Sequence, residues 1–137
     1  MSDHKILIAA VILAGLAVTG AKAATPCTGV DQTLTAAEKP VLAQAAAKQL
    51  GLPTVDVLDS FHVESWQIIY VATESSDNAF LFYANDPTTH KYVALWAGAA
   101  MASEKSSIDG WALKNAPGIP AKLADCFAWH VTQDRSK

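Results

Sequence analysis

The best candidate for chemistry in this sequence is the run Phe61-His62-Val63-Glu64-Ser65-Trp66. On an extended backbone, residues two apart share a face, so His62 and Glu64 would present an imidazole and a carboxylate together. Such a pair suits proton transfer or a metal ion. The competing reading is a solvated strand edge that happens to carry polar residues. Zinc needs three or four ligands, and His130 is the only other attractive one. No metal and no cofactor is therefore expected. A hydrolytic or metal enzyme built on His62, Glu64 and His130 ranks last among the functional readings.

His130 has a simpler role available. It falls at the end of a predicted helix, where a protonated imidazole favours the macrodipole. His90 lies in a turn with Thr88 and Thr89 and is expected to be exposed. The zinc deaminase motif pairs His-x-Glu with Pro-Cys-x-x-Cys, and that second half is missing here. Gly-x-Ser-x-Gly, a glycine-rich phosphate loop, His-Glu-x-x-His and a calcium loop are all absent from the sequence.

Cys27 and Cys126 are the two cysteines in 137 residues. If the chain is exported, they meet an oxidising compartment, where pairing is the default. One bridge between them would close nearly the whole fold. The alternative is a reactive thiol, with His130 four residues beyond Cys126.

Export is suggested by the N-terminus. Lys5 precedes a charge-free apolar run from Ile6 to Val18, and Ala21-Lys22-Ala23 places small residues where a signal peptidase cuts. The run is shorter than the roughly 20 residues an anchor needs. Residues 1–23 are thus expected to be a cleavable signal peptide, and 24–137 a single small domain, periplasmic or secreted. Loss of Lys5, Lys22 and Asp3 would take the formal charge from −3 to −4. The remaining lysines are scattered singly. Nucleic acid is therefore an unsuitable partner, and no stable membrane anchor is expected after cleavage.

The elements that must position these residues follow from local pattern. Thr35-Ala36-Ala37-Glu38 has the form of a capping box, opening a helix to about Leu50. Pro40 conflicts with a start at Thr35 and suggests one near Lys39 or Pro40. Gly51 and Pro53 form the stop. Residues 55–61 alternate imperfectly, because Leu58 and Phe61 break the pattern; a short strand or an irregular connection is expected there. Strands follow at 66–73, 79–84 and 91–97, dense in β-branched and aromatic residues and joined by polar turns. A short helix over 108–113, capped by Ser107, and a last helix opened by Ile119-Pro120 complete the order. On that last helix Leu123, Cys126, Phe127 and His130 share one face. A frayed polar tail is expected from Thr132 onward. The class is α+β: an N-terminal helix, a three- to four-stranded antiparallel meander, and C-terminal helices packed on one sheet face with one disulfide. Both faces of the meander carry apolar residues, so the second face should be at least partly covered, by loops or by a partner.

Four tryptophans, Trp66, Trp96, Trp111 and Trp129, are many for a domain of this size. They fit core filling, and an exposed one would mark a binding surface. The leading functional expectation is a small exported non-enzymatic binding or inhibitory domain with another protein as partner. A small-molecule-binding periplasmic protein is the alternative.

Overall fold

In the computed structural model the described residues are Gly15 and 24–133. The expected signal peptide at 1–23 and the last four residues of the chain therefore lie outside the described residues, Gly15 apart. The chain runs through helix α1 (Glu38–Leu50), strands β1 (Asp56–Val63), β2 (Trp66–Ala72), β3 (Ala79–Tyr83) and β4 (Ala94–Ala97), then helices α2 (Lys105–Asn115) and α3 (Ala121–Gln133). The strands form one antiparallel sheet in the order β1-β2-β3-β4. This is the α+β meander that the alternating segments predict.

The ends of α1 follow their local chemistry. The Glu38 N–H donates to Thr35 Oγ1 (3.1 Å), and the Thr35 N–H donates to the Glu38 carboxylate (3.3 Å). This is the reciprocal capping box. Pro40 is tolerated because the carbonyl its ring would crowd, that of Ala36, lies before the helix. At the other end Gly51 adopts φ 68°, and the Leu52 N–H reaches back to the Ala47 carbonyl (2.9 Å). A left-handed residue is needed there, and glycine takes that conformation without a Cβ clash.

The imperfect alternation at 55–61 is a full strand with a bulge. Pairing shifts between Val57↔Val71 and Asp59↔Tyr70, leaving Leu58 as the extra residue. The shift inverts the facing of everything after it. Val57 is buried on one side of the sheet, whereas Phe61 and Val63 pack on the other. The third meander strand is shorter than expected, with β4 confined to four residues.

Two cores result, one on each face. Phe61, Trp66, Ile68, Phe80 and Phe82 meet Leu123, Cys126, Phe127 and Val131 of α3 and Ile108 and Ala112 of α2. Phe127 is central, with ring centroids 5.1 Å from Phe80, 4.8 Å from Phe82 and 5.6 Å from Trp96. The two C-terminal helices thus share one face. On the opposite face Val57, Ile69, Val71, Leu81 and Tyr83 meet Leu42, Ala46 and Ala47 of α1. That face is covered by the N-terminal helix.

Gln49 links α1 to the β3–β4 connection. Its amide donates to the Pro87 (3.0 Å) and His90 (3.1 Å) carbonyls, while its oxygen accepts from Tyr83 Oη (3.0 Å). Burial pushes the Tyr83 phenol above its ordinary range, so it remains a donor.

Two further boundaries differ from the sequence reading. Helix α2 starts at Lys105 rather than beside Ser107. A single 3-10 turn at Ala102–Glu104 precedes it, and the Glu104 carboxylate accepts the Met101 N–H (2.6 Å). The tail expected from Thr132 begins later, because α3 runs to Gln133. Thr132 is buried, and its hydroxyl donates to the Ala128 carbonyl (2.7 Å).

Candidate binding groove

Cys27 and Cys126 are bonded, and both are buried. The bridge ties the segment ahead of α1 to the inner face of α3. There is no free thiol among the described residues.

The structure places His62 and His130 on opposite sides of the sheet. Residue 62 lies on β1, and its backbone pairs with Asp31 through two hydrogen bonds (2.8 and 3.0 Å). Its exposed side chain lies on the α1 side of the sheet, beside Ser60 and Gln67. His130 lies on the other side, where its ring sits 4.9 Å from Phe61 and 6.0 Å from Phe80. The extended backbone expected through Glu64 ends at Val63. Glu64 and Ser65 form a two-residue hairpin loop between the paired Val63 and Trp66, and Glu64 takes φ 55°. The extended geometry expected to set imidazole and carboxylate on one face therefore does not extend to Glu64. Among the described residues no three His, Cys, Asp or Glu side chains are grouped to hold a metal ion.

The tryptophans all serve the α2–α3 core. Trp66 is buried, and the half-buried Trp96, Trp111 and Trp129 pack against the same cluster. Trp111 meets Phe82 edge-on at 5.6 Å. None of the four is fully exposed.

A different site emerges on the α1 side. The first turns of α1, the outer half of β1, the start of β2 and the β3–β4 connection enclose a groove of about 460 Å³. Buried Leu42 and Ser60 form its floor, and Val41 and Pro87 add apolar wall. Asp31, Glu38, His62 and Asp86 stand at its rim. Ser60 Oγ accepts from the Gln67 amide (2.9 Å) at the base.

Two of the carboxylates are fixed by the same local device. The Thr33 N–H donates to Asp31 Oδ1 (2.9 Å). The Thr88 N–H (2.9 Å) and its hydroxyl (2.8 Å) donate to Asp86 Oδ1. These bonds hold both carboxyls below the usual carboxylate range, with smaller attractions from His62 and His90 respectively. Both groups are ionised at neutral pH, and their orientation is set before any ligand arrives.

Sequence reasoning passed over Asp31, Glu38, Ser60, Gln67 and Asp86 as site residues. The available signal was the repeated Asp-x-Thr, at Asp31-Gln32-Thr33 and Asp86-Pro87-Thr88. Each reads locally as an ordinary turn. Only the folded sheet brings two such turns to one groove. Comparison of the chain with protein-family models, with curated proteins and with solved structures returned no match.

Among the described residues no helix is long and apolar enough to cross a membrane.

Proposed function

We propose that this chain is a small exported binding domain, not an enzyme, and that its ligand is a small cationic molecule seated in the α1–sheet groove. The groove itself carries the reading. Its volume of about 460 Å³ falls in the range of small-molecule sites, and such sites combine apolar walls with a few convergent polar groups. Asp31 and Asp86 supply fixed negative charge from two separate segments, and Leu42, Val41 and Pro87 supply apolar contact. An amine or guanidinium on a short apolar body fits that lining. Export is supported by the apolar N-terminal pattern and by the disulfide, which persists in oxidising compartments.

The test is a titration of isotope-labelled protein with a panel of small amines and guanidinium compounds, with acetate and glucose as controls. Saturable amide shifts confined to residues 31–38, 60–67 and 86–88, lost in the Asp31→Asn/Asp86→Asn double variant, are expected. Shifts that are absent, scattered over the surface or unchanged in the double variant would refute the assignment.

A further inference from the structure

Helix α1 changes charge along one face. Glu38, Val41, Ala45 and Lys48 follow one another at helical spacing and form one stripe on its surface. From the N-terminus the stripe is acidic, then apolar, then basic. Val41, in its apolar part, is 52% exposed. The β3–β4 connection runs beside this stripe with the same polarity, Asp86 coming first and His90 and Lys91 last.

The acidic groove takes only the first half of this track. Thr88 lines it and also lines a second depression of about 400 Å³, whose wall includes Ala45, Lys48, His90 and Lys91. Among the described residues that line this depression none is Asp or Glu. A lysine in the last turn of a helix is ordinary, because it favours the macrodipole. The helix does not account for a second lysine and an imidazole brought to the same depression by a separate segment. That segment is held in place. The Gln49 amide binds the Pro87 and His90 carbonyls, and the Thr89 and His90 N–H groups donate to the Asp86 carbonyl (3.2 and 2.9 Å). The His90 ring is hydrogen-bonded to Thr89 Oγ1 (2.9 Å), and the Lys91 ammonium lies 5.4 Å from the centre of the Tyr92 ring.

We infer that the two depressions form one track for a short peptide with free termini. Its ammonium end sits among Asp31, Glu38 and Asp86, and its carboxylate end at Lys48 and Lys91. The inference rests on the cation reading of the groove and adds the other end of the ligand. Spacing along the helix sets the length. Ten residues of α-helix place Glu38 and Lys48 about 15 Å apart along the axis. Both side chains lean toward the helix N-terminus, so their charged ends keep about that spacing. A hydrogen bond of about 3 Å at each end leaves about 9 Å for the ligand. An extended tripeptide, at most about 10 Å long, covers that distance, whereas a dipeptide, at most about 7 Å, does not. The body of the peptide then crosses Val41 and Ala45.

The test is a titration of isotope-labelled protein with trialanine and with its C-terminal amide, which keeps only the cationic end, and with the same pair for dialanine. Trialanine is expected to shift the amides of 45–49 and 89–91 together with those of the acidic groove. It should bind at least about tenfold more tightly than its amide, through the added charge-assisted contact. In a Lys48→Gln/Lys91→Gln double variant, shown by circular dichroism to be folded, that preference should fall below about twofold without weakening the amide. An amide that binds the acidic groove as tightly as trialanine overturns the inference and leaves the cation reading standing. A preference that survives the double variant overturns it, as does an equal preference for dialanine over its own amide. Absence of trialanine binding overturns it too, and the titration with small amines then decides the cation reading separately.

Discussion

Removing the Cys27–Cys126 bond, through a Cys27→Ala/Cys126→Ala double variant, frees a chain segment that contains α1, the whole sheet and α2. The cysteines are 99 positions apart. In the chain-entropy treatment, closing a loop of that length restricts the unfolded ensemble by about 4.7 kcal/mol at 25 °C. The native state has little with which to replace the bond. Ahead of α1 the segment is held by buried Val30 and by the Asp31–His62 bridge on β1. Unfolding entropy near 2.1 cal/mol/K per residue, over the described domain, converts 4.7 kcal/mol into a fall in Tm of about 20 °C. Small cavities at the two buried sulfur positions act in the same direction. The assay is thermal unfolding followed by circular dichroism at pH 7, with a thiol titration of denatured wild-type protein to confirm the bond. A fall of less than about 3 °C would show that loop closure does not stabilise this fold in the way the entropy model requires. Two free thiols in material recovered from an exporting host would remove the structural support for an oxidising compartment.

Two other substitutions test particular parts of the fold. Asp109 Oδ1, on α2, is buried with no hydrogen-bond partner among the described residues, close to the Lys105–Asp125 ion pair. Burial and then the Asp125 charge raise the Asp109 carboxyl above its ordinary value of 3.8. A raised folded-state value means the stabilising contribution is fully present below 3.8 and is lost as pH rises through the folded value. Asp109→Asn should therefore raise Tm by about 1–3 °C at pH 7, with the gain shrinking as pH falls toward 4. A gain that grows on acidification would contradict this sign. Glu64 occupies a left-handed turn position with φ 55°. Glu64→Gly relieves that backbone cost and should stabilise the protein by about 0.5–1 kcal/mol in urea unfolding, leaving groove binding unchanged. Destabilisation would show that the Glu64 side chain contributes to the native state.

Much of the fold was legible because its signals are local. Thr35 and Glu38 stand three apart, as a capping box requires, and Gly51 stands where a left-handed stop is needed. Strands β2 and β3 read as strands because dense β-branched and aromatic residues suit a pleated, buried surface. The last helix showed its buried stripe at Leu123, Cys126 and Phe127. Strand β1 was blurred by one residue. The bulge at Leu58 moves Val57 and Phe61 to opposite faces, and no two-residue period survives an inserted residue. The Glu104 contact that starts α2 one turn early was hidden because it depends on how the chain leaves β4.

The candidate site was largely illegible. His62 and His130 drew attention as reactive types, yet the sheet lies between them, since alternate strand residues face opposite ways and the bulge sets which face each takes. The tryptophans were visible as unusual, but whether a large side chain is core or surface depends on what packs over it, and here Trp66 is buried while the other three pack half-buried against the α2–α3 core. By itself, the order of residues determined the class of elements, their caps and the pairing available to two cysteines, because each depends on neighbours a few positions away or on simple chemical partnership. The tertiary structure alone decided that Asp31, Glu38, His62 and Asp86 share one groove and that the helices α1 and α2–α3 pack on opposite faces of the sheet. Those outcomes depend on the register of distant strands and on which face each helix covers, and both arise from packing between segments far apart in the chain.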